Sequence, residues 1–189
     1  MNELTKILLE YSSFNHQEIE LISDRIRHRE LSRGDYLLKS GRIARELAFV
    51  TSGIIRVALQ SETGDDITRA FIPEYHFALN FNSLNNQVAS GVSFIAVTDC
   101  RLLVIVEQDL TELGNTIPHW QRFLSNIAVK VLSNKMNLLN DMMLQDAETR
   151  YLEFLKIYPG LANRIPLSTL ASYLGINQST LSRIRRNIS

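Results

Sequence analysis

The chain has 189 residues, of which 45% are hydrophobic and 21% are charged, a mixture typical of a globular protein that buries a core. Its 20 basic and 20 acidic residues cancel to a formal net charge of zero. The sequence has no run of about 18 apolar residues, its N-terminus has carboxylates where an export signal needs basic residues, and Cys100 is its single cysteine. These features exclude an internal disulfide framework and predict a cytoplasmic protein that does not interact with a membrane.

Residues 2–29 are predicted to be helical. Asn15 is a candidate N-cap, and Glu18 follows it at the spacing of a capping box. Apolar side chains then recur at helical spacing, at Ile19, Leu21, Ile22 and Ile26.

From about residue 31 the pattern changes to short β-type runs separated by turn residues. The runs are YLLKS, ELAFVTSG, IIRVALQS, ITRAFI and VSFIAVTDCRLLVIVEQ. Short strands with glycine turns about 8 to 12 residues apart are typical of an antiparallel barrel or roll. The predicted fold class is therefore α+β, with an antiparallel, jelly-roll-like β-roll in the first part of the chain.

A long helix is predicted over residues 118–143. At about 1.5 Å per residue it would extend some 35 to 40 Å, which is longer than a small roll. A helix of this length usually packs against a partner, and a second copy of the chain is the simplest one. Asn134 and Lys135 interrupt its apolar stripe. The predicted homodimer contact is formed by Leu124, Ile127, Val131 and Leu138.

The C-terminal segment differs in charge from the rest of the chain. Residues 154–189 contain five basic residues and no Asp or Glu, so this segment carries about +5 and the remainder about −5. Such a division indicates an anionic partner for the segment, with nucleic acid as the first candidate. A solvated basic face without a partner is the alternative.

Two short helices are predicted within this basic segment. Ser168 is a candidate cap for the first, and Gly175 occupies the position after it, where glycine most easily adopts a left-handed backbone. Asn177 or Gln178 then opens the second helix. Two short helices joined by a tight glycine-containing turn are typical of a helix-turn-helix. The apolar face of the first helix is formed by Leu167, Leu170, Ala171 and Leu174.

The second helix has an apolar side, formed by Leu181, Ile184 and Ile188, and a polar side without carboxylates. Its polar side can donate hydrogen bonds to base edges and neutralise phosphates. Arg183 is the candidate for a bidentate contact with guanine, and the helix N-terminus is where recognition helices usually present base contacts. An ordinary helical hairpin would leave the single sign of charge unexplained. The candidate DNA-binding residues are Gln178, Ser179, Thr180, Ser182, Arg183, Arg185 and Arg186.

The segment LASYLGINQSTLSRIRR resembles the recognition segment of the Crp/Fnr transcription regulators, the family of the cyclic-AMP receptor protein. The segment LSRGDYLLKSGRIARELAFVTSGIIRVALQSETGDDITRAFIPEYHF resembles the first half of that family's cyclic-nucleotide-binding β-roll. The resemblance implies a roll over residues 1–116, a dimerisation helix over 117–143 and a helix-turn-helix domain over 144–189. Because the chain stops just after the recognition helix, any wing strands beyond it are expected to be absent.

The sequence departs from the family at the phosphate-binding cassette. Members that bind cyclic AMP have a Gly-Glu pair and, about ten residues later, an Arg followed by a small hydroxyl residue, which contact the ribose and the cyclic phosphate. Here Leu79 and Asn80 stand at the positions of the Gly-Glu pair. Ser90 and Gly91 stand at the positions of the Arg and the small hydroxyl residue. Among residues 73–100, His76 is the only basic side chain, so a buried phosphate would lack its countercharge. The effector pocket is therefore predicted to be degenerate.

Other sensor chemistry is also not indicated. One cysteine cannot hold an iron–sulfur cluster, and the four histidines lack metal-ligand spacing, so neither a cofactor nor a metal is expected. His76 as a haem ligand is the alternative to an ordinary surface histidine. The aromatic residues near the cassette, which are Phe77, Phe81 and Phe94, indicate either a filled core or a site for an apolar ligand.

The predicted function is sequence-specific binding of double-stranded DNA by a homodimeric Crp/Fnr-type regulator that cyclic AMP does not gate. The alternatives are gating by an unknown non-nucleotide effector and a protein-interaction module that uses the C-terminal helices. The sequence contains no recognisable nucleophile–base pair or phosphate loop, and Asp65 and Asp66 lie in a predicted hairpin turn. An enzyme is therefore not expected.

Overall fold

The computed structural model of the protein describes residues 3–60, 66–131 and 145–188. The chain begins with helices α1 (Glu3–Tyr11) and α2 (His16–Asp24). The predicted capping box is confirmed, because Asn15 Oδ1 accepts from the Glu18 amide at 2.9 Å and Glu18 Oε2 accepts from the Asn15 amide at 2.8 Å.

The helix prediction is wrong after α2. Strand β1 (Arg27–Leu31) begins where the sequence predicts helix through residue 29. Four of its five side chains are exposed, so no apolar alternation identifies it as a strand. It forms because its backbone pairs along its whole length with β8 (Cys100–Val106), a partner about 70 residues away that local sequence does not reveal.

Eight strands within the described residues form two four-stranded antiparallel sheets, which confirms the predicted α+β fold with an antiparallel roll. The first sheet has the order β1-β8-β3-β6, and the second has the order β2-β7-β4-β5. The remaining strands are β2 (Tyr36–Leu38), β3 (Glu46–Ser52), β4 (Ile55–Gln60), β5 (Asp66–Ile72), β6 (Phe77–Ala78) and β7 (Ser93–Ala96).

Strand β8 separates two cores because its side chains alternate between them. Leu102 and Val104 point into the core between the two sheets, where they meet residues such as Ile55 and Phe94. Ile105 belongs to a second core on the outer face of the first sheet, which is covered by helices. Burial on both faces explains why β8 is almost continuously apolar.

The covering helices are α1, α2, α4 (Glu107–Thr116) and α5, which includes residues 120–131. The sequence places a strand up to Gln108, but β8 ends at Val106 and α4 starts one residue later. A six-residue helix, α3 (Phe81–Asn86), lies between β6 and β7.

The part of the long helix that the structure describes packs on its own chain. Leu124 and Ile127, which the sequence assigns to the dimer contact, are buried in the helix-covered core with Trp120 and Phe123. Both side chains are thus already covered within their own chain, and their part in a subunit contact stays a prediction. Val131 is 50% exposed, and Leu138 lies outside the described residues.

The C-terminal part contains α6 (Ala147–Ile157), a short 3₁₀ helix (Leu161–Asn163), α7 (Leu167–Leu174) and α8 (Gln178–Ile188). These helices surround a third core that also contains residues of the roll, including Phe71. No helix in the three described ranges combines the length and the apolar character needed to cross a bilayer.

Candidate nucleic-acid interface

The turn between α7 and α8 is the tight, glycine-containing turn that the sequence predicts. Gly175 adopts the left-handed backbone predicted for it, with φ of 66°, and its amide closes α7 on the carbonyls of Ala171 and Ser172. The Ile176 amide also bonds the Ala171 carbonyl, at 3.1 Å. The predicted Ser168 cap is wrong, because α7 begins at Leu167 after Pro166 and no side chain caps it.

Asn177 fixes the start of α8. Its Oδ1 accepts from the Thr180 amide at 2.8 Å and from the Ser179 hydroxyl at 2.8 Å. Accepting from the amide three residues later is the usual work of an N-cap side chain. The helix therefore opens at Gln178, one of the two starting positions that the sequence leaves open.

One side of α8 holds the helix against the C-terminal core. Leu181 is fully buried and Ile184 is 7% exposed, and both pack in the cluster that contains Leu170 and Leu174 of α7. Ile188, which the sequence places on the same side, is instead 39% exposed at the end of the helix. Burial of Leu181 and Ile184 thus determines which side of α8 faces outward.

The outward side carries the predicted DNA-binding residues. Gln178, Ser179, Arg183 and Arg186 are exposed, and Thr180, Ser182 and Arg185 are partly exposed. No acidic residue lies in α7, α8 or the turn between them. This surface can therefore approach a polyanion without like-charge repulsion, and it offers hydroxyl, amide and guanidinium donors.

Arg185 differs from the other two arginines of α8. Its Nη2 donates to Asn163 Oδ1 at 3.1 Å, which ties the helix to the 3₁₀ turn before α7. Asn163 could not be identified from the sequence, since a polar residue 22 positions away gives no local signal. Arg185 therefore orients α8 as well as adding positive charge, while Arg183 and Arg186 extend from its exposed side.

The four cassette positions lie close together in the roll. Asn80 Nδ2 donates to Ser90 Oγ at 2.8 Å, and Asn80 Oδ1 caps α3 by accepting from the Ser83 amide at 3.2 Å. Leu79 is partly buried against the helix-covered core, and Gly91 is exposed with open space around its α-carbon. The two polar side chains at the family's Glu and Arg positions thus bond to each other.

The chain itself satisfies the polar groups around Ser90. The Ser90 hydroxyl donates to the Val92 carbonyl at 2.6 Å and accepts from the Val92 amide at 3.1 Å. The Ser90 backbone pairs with residues 41 and 42 through two bonds of 2.8 Å. Ser90 is only 3% exposed, so its hydroxyl is inside the roll and already engaged.

The three phenylalanines near the cassette do not line a common pocket. Phe77 lies in the helix-covered core, where its ring is 5.2 Å from that of Phe49, and Phe81 packs at the edge of the same core. Phe94 lies in the core between the sheets. Of the two interpretations that the sequence leaves open, filled core is the one this packing supports.

His76 is an exposed side chain whose Nδ1 lies 2.9 Å from the Glu74 carbonyl. Within residues 3–60, 66–131 and 145–188, no group of three or more His, Cys, Asp or Glu side chains is arranged to hold a metal ion. Cys100 is buried, and burial raises the pKa of its thiol.

Comparison with known proteins identifies the roll. Residues 28–116 match the family model of the cyclic nucleotide-binding domain. No curated protein sequence matches the chain.

Three solved structures illustrate the likeness of the fold. FixK2 of Bradyrhizobium japonicum has a TM-score of 0.74 and 15% identity, over 86% of this chain and 84% of its own. CLP, a c-di-GMP-responsive global regulator of Xanthomonas campestris, has a TM-score of 0.72 and 18% identity, over 92% of this chain and 91% of its own. A Eubacterium rectale protein described as a transcriptional regulator of the Crp/Fnr family has a TM-score of 0.74 and 19% identity, over 94% and 87%.

These findings establish the fold of the chain and the type of its roll. It has a cyclic nucleotide-binding-type roll followed by C-terminal helices, and its structural neighbours include a protein described as a transcriptional regulator of the Crp/Fnr family. The resemblance inferred from the sequence is thereby confirmed at the level of the fold and the roll. The roles of individual residues in α8 and in the long helix stay predictions.

Proposed function

We propose that the protein is a sequence-specific DNA-binding transcription regulator of the Crp/Fnr type, in which α8 enters the major groove. The observation that carries this proposal is the outward side of α8, which is exposed, lacks carboxylates and is held by a tight turn. Gln178 and Ser179 lie at the helix N-terminus, where base contacts are usual, and Arg183 extends one turn further along. Arg186 is placed to neutralise phosphate.

The proposal includes a homodimer that binds a two-fold symmetric site, with two recognition helices about 34 Å apart. Within α5, the contact is assigned to the side chains that the roll leaves uncovered. Val131 is 50% exposed and lies in the last described turn of this helix, on the side that carries Leu124 seven residues earlier. We propose that the contact begins at Val131 and continues through Leu138, which lies outside the described residues.

Ligand gating is the second candidate, and the match of residues 28–116 to the cyclic nucleotide-binding domain favours it. The bonds around Ser90 argue against a cyclic nucleotide in the usual orientation, because its phosphate would have to displace them without meeting a cationic partner. An effector of different chemistry is compatible with this arrangement.

The test is selection of bound duplexes from random DNA with the purified protein, followed by titration of the enriched sequence at several salt concentrations. We expect one two-fold symmetric motif. Its affinity should fall roughly 10²- to 10³-fold between 50 and 200 mM salt, because two subunits would neutralise about four to six phosphates. A protein-interaction module would enrich no motif, and that result would reject the proposal.

A further inference from the structure

Helix α7 occupies the free edge of strand β5. This strand is the last in its sheet, so its outer backbone groups have no neighbouring strand to pair with. The Thr68 amide donates to Ser172 Oγ at 3.0 Å, and the Ser172 hydroxyl lies 3.4 Å from the Asp66 carbonyl, which accepts from it. One side chain of α7 therefore takes the place of a partner strand.

Phe71, also in β5, closes the core of the C-terminal helices. Its ring centroid is 5.1 Å from that of Tyr173 in α7 and 6.0 Å from that of Phe154 in α6. The side chain is 4% exposed, and Ile54 and Val97 of the roll join the same cluster. Because the C-terminal core is completed by the roll, separating the two would expose apolar surface on both.

Glu74 adds a charged contact just beyond β5. Both of its carboxylate oxygens accept from the Arg164 guanidinium, one of them at 3.0 Å. Its Oε1 also accepts from the Gly53 amide at 2.8 Å, which anchors the carboxylate to the roll. Arg164 lies between the 3₁₀ helix and α7, so this pair connects the roll directly to the segment that leads into the helix-turn-helix.

These contacts leave the outward side of α8 accessible. Gln178, Ser179, Arg183 and Arg186 are exposed while α7 is docked. The docked arrangement thus holds the recognition helix in one orientation relative to the roll without covering the surface proposed to contact DNA. An ordered helix also loses less conformational freedom on binding than a mobile one.

We propose that Phe71, Glu74 and Ser172 are positioning residues, which set the orientation of α8 and thereby the spacing of half-sites that the dimer accepts. The inference rests on the DNA-binding function proposed above. A dimer binds both half-sites only when its two recognition helices have the matching separation. Loosening α7 from β5 should therefore affect simultaneous binding of two half-sites more than binding of one.

The experiment uses Glu74→Gln and Ser172→Ala in the full-length protein. The matched controls are Glu30→Gln, an exposed glutamate of β1, and Ser168→Ala, an exposed serine of α7. Phe71→Ala is a stronger variant, with Ile67→Ala at an exposed position of the same strand as its control. Circular dichroism and a thermal melt establish that each variant is folded.

Each variant is titrated with three duplexes. The first is the symmetric site selected by the wild type, the second has one half-site scrambled, and the third has two base pairs inserted between the half-sites. We expect the positioning variants to bind the symmetric site about 5- to 20-fold more weakly, in the range of typical couplings between sites. Their affinity for the duplex with a single intact half-site should stay within about twofold of the wild-type affinity. The loss of affinity caused by the two-base-pair insertion should be smaller in these variants than in the wild type. Control variants should match the wild type on all three duplexes.

If a positioning variant lost affinity equally for the symmetric site and for the single half-site, the positioning role would be overturned, because equal losses would indicate damage to α8 itself. Unchanged binding to the symmetric site would overturn it as well. Docking has a DNA-independent readout, namely hydrogen exchange at the Thr68 amide, which should become at least about tenfold faster in Ser172→Ala than in Ser168→Ala. If the wild type enriches no DNA, the proposed function fails and the positioning role with it, while this exchange rate still decides whether α7 docks on β5.

Discussion

Asn80 and Ser90 bond directly to each other, with 2.8 Å between Asn80 Nδ2 and Ser90 Oγ. They occupy the positions that the resemblance assigns to the glutamate and the arginine of a phosphate-binding cassette. A cyclic nucleotide would have to break this bond and desolvate its phosphate beside a neutral hydroxyl that already donates to the Val92 carbonyl.

We therefore expect no binding of cyclic AMP or cyclic GMP at physiological concentration. A hydrogen bond to a charged group contributes about 1.5–3 kcal/mol, so loss of the arginine contact alone weakens binding roughly 10- to 100-fold. The measurement is calorimetric titration with each nucleotide, with AMP as a non-cyclic control. A dissociation constant in the micromolar range for either cyclic nucleotide would contradict the expectation.

Arg183→Ala should abolish sequence preference without affecting the fold. Arg183 is exposed on α8, and a bidentate contact with guanine contributes about 1–3 kcal/mol of discrimination. Competition between the selected site and single-base variants measures the loss. Arg42→Ala removes an exposed arginine of the roll and should leave discrimination intact. Unchanged specificity in Arg183→Ala would remove this residue from the set of base contacts.

Val131→Glu should shift the protein from dimer to monomer and weaken DNA binding. Val131 is half exposed, and a glutamate from each subunit would place like charges at a symmetric contact. Light scattering at micromolar concentration is the measurement, and the double variant with Leu138→Glu should have a larger effect. Gln121→Glu, an exposed change on the same helix, is the control. A monomeric wild type under these conditions would reject the dimer.

The Glu74–Arg164 pair should make the stability of the folded protein depend on pH in the acidic range. The guanidinium of Arg164 and the bonds to the carboxylate lower the pKa of Glu74 from its ordinary value of 4.5 to about 2. Because the folded pKa is the lower one, this stabilisation is complete above about pH 4.5 and is lost as the pH falls toward 2.

Arg164→Gln should therefore be less stable than the wild type at pH 7, and the difference should narrow between pH 4.5 and pH 2. Urea denaturation at a series of pH values measures it. Arg42→Gln should show no such convergence, since Arg42 is a distant exposed arginine. A difference that is constant across this pH range would mean that the charge of Glu74 is not what Arg164 stabilises.

Gly53→Ala should destabilise the roll more than Gly34→Ala. Both glycines have positive φ, at 96° and 94°, so alanine strains the backbone equally at the two positions. At Gly53 an added Cβ would also lie 2.4 Å from the Asp99 carbonyl oxygen, whereas the space at Gly34 is open. Overpacking costs about 1–3 kcal/mol, and this is the expected difference between the two free energies of unfolding. Equal values would show that the backbone at Gly53 moves aside.

Helices α7 and α8 and the turn between them could be predicted from the sequence because their signals are local. The left-handed backbone at Gly175, the cap of Asn177 and the apolar spacing of α8 each depend on residues within one or two turns. The absence of acidic residues from α7 and α8 is likewise visible in the sequence. The substitutions at the cassette could also be identified, because they follow from aligning short segments.

Tertiary structure decided the features that depend on distant partners. Strand β1 forms only because β8 is available to pair with it, and an apolar stripe on α5 cannot reveal whether it covers the roll or a second subunit. Leu124 and Ile127 are buried in a core that also contains residues from the beginning of the chain, such as Leu8. The docking of α7 on β5 joins Thr68 to Ser172, 104 positions apart. Local propensity is a property of neighbouring residues, whereas burial and hydrogen-bond satisfaction are properties of the whole folded chain.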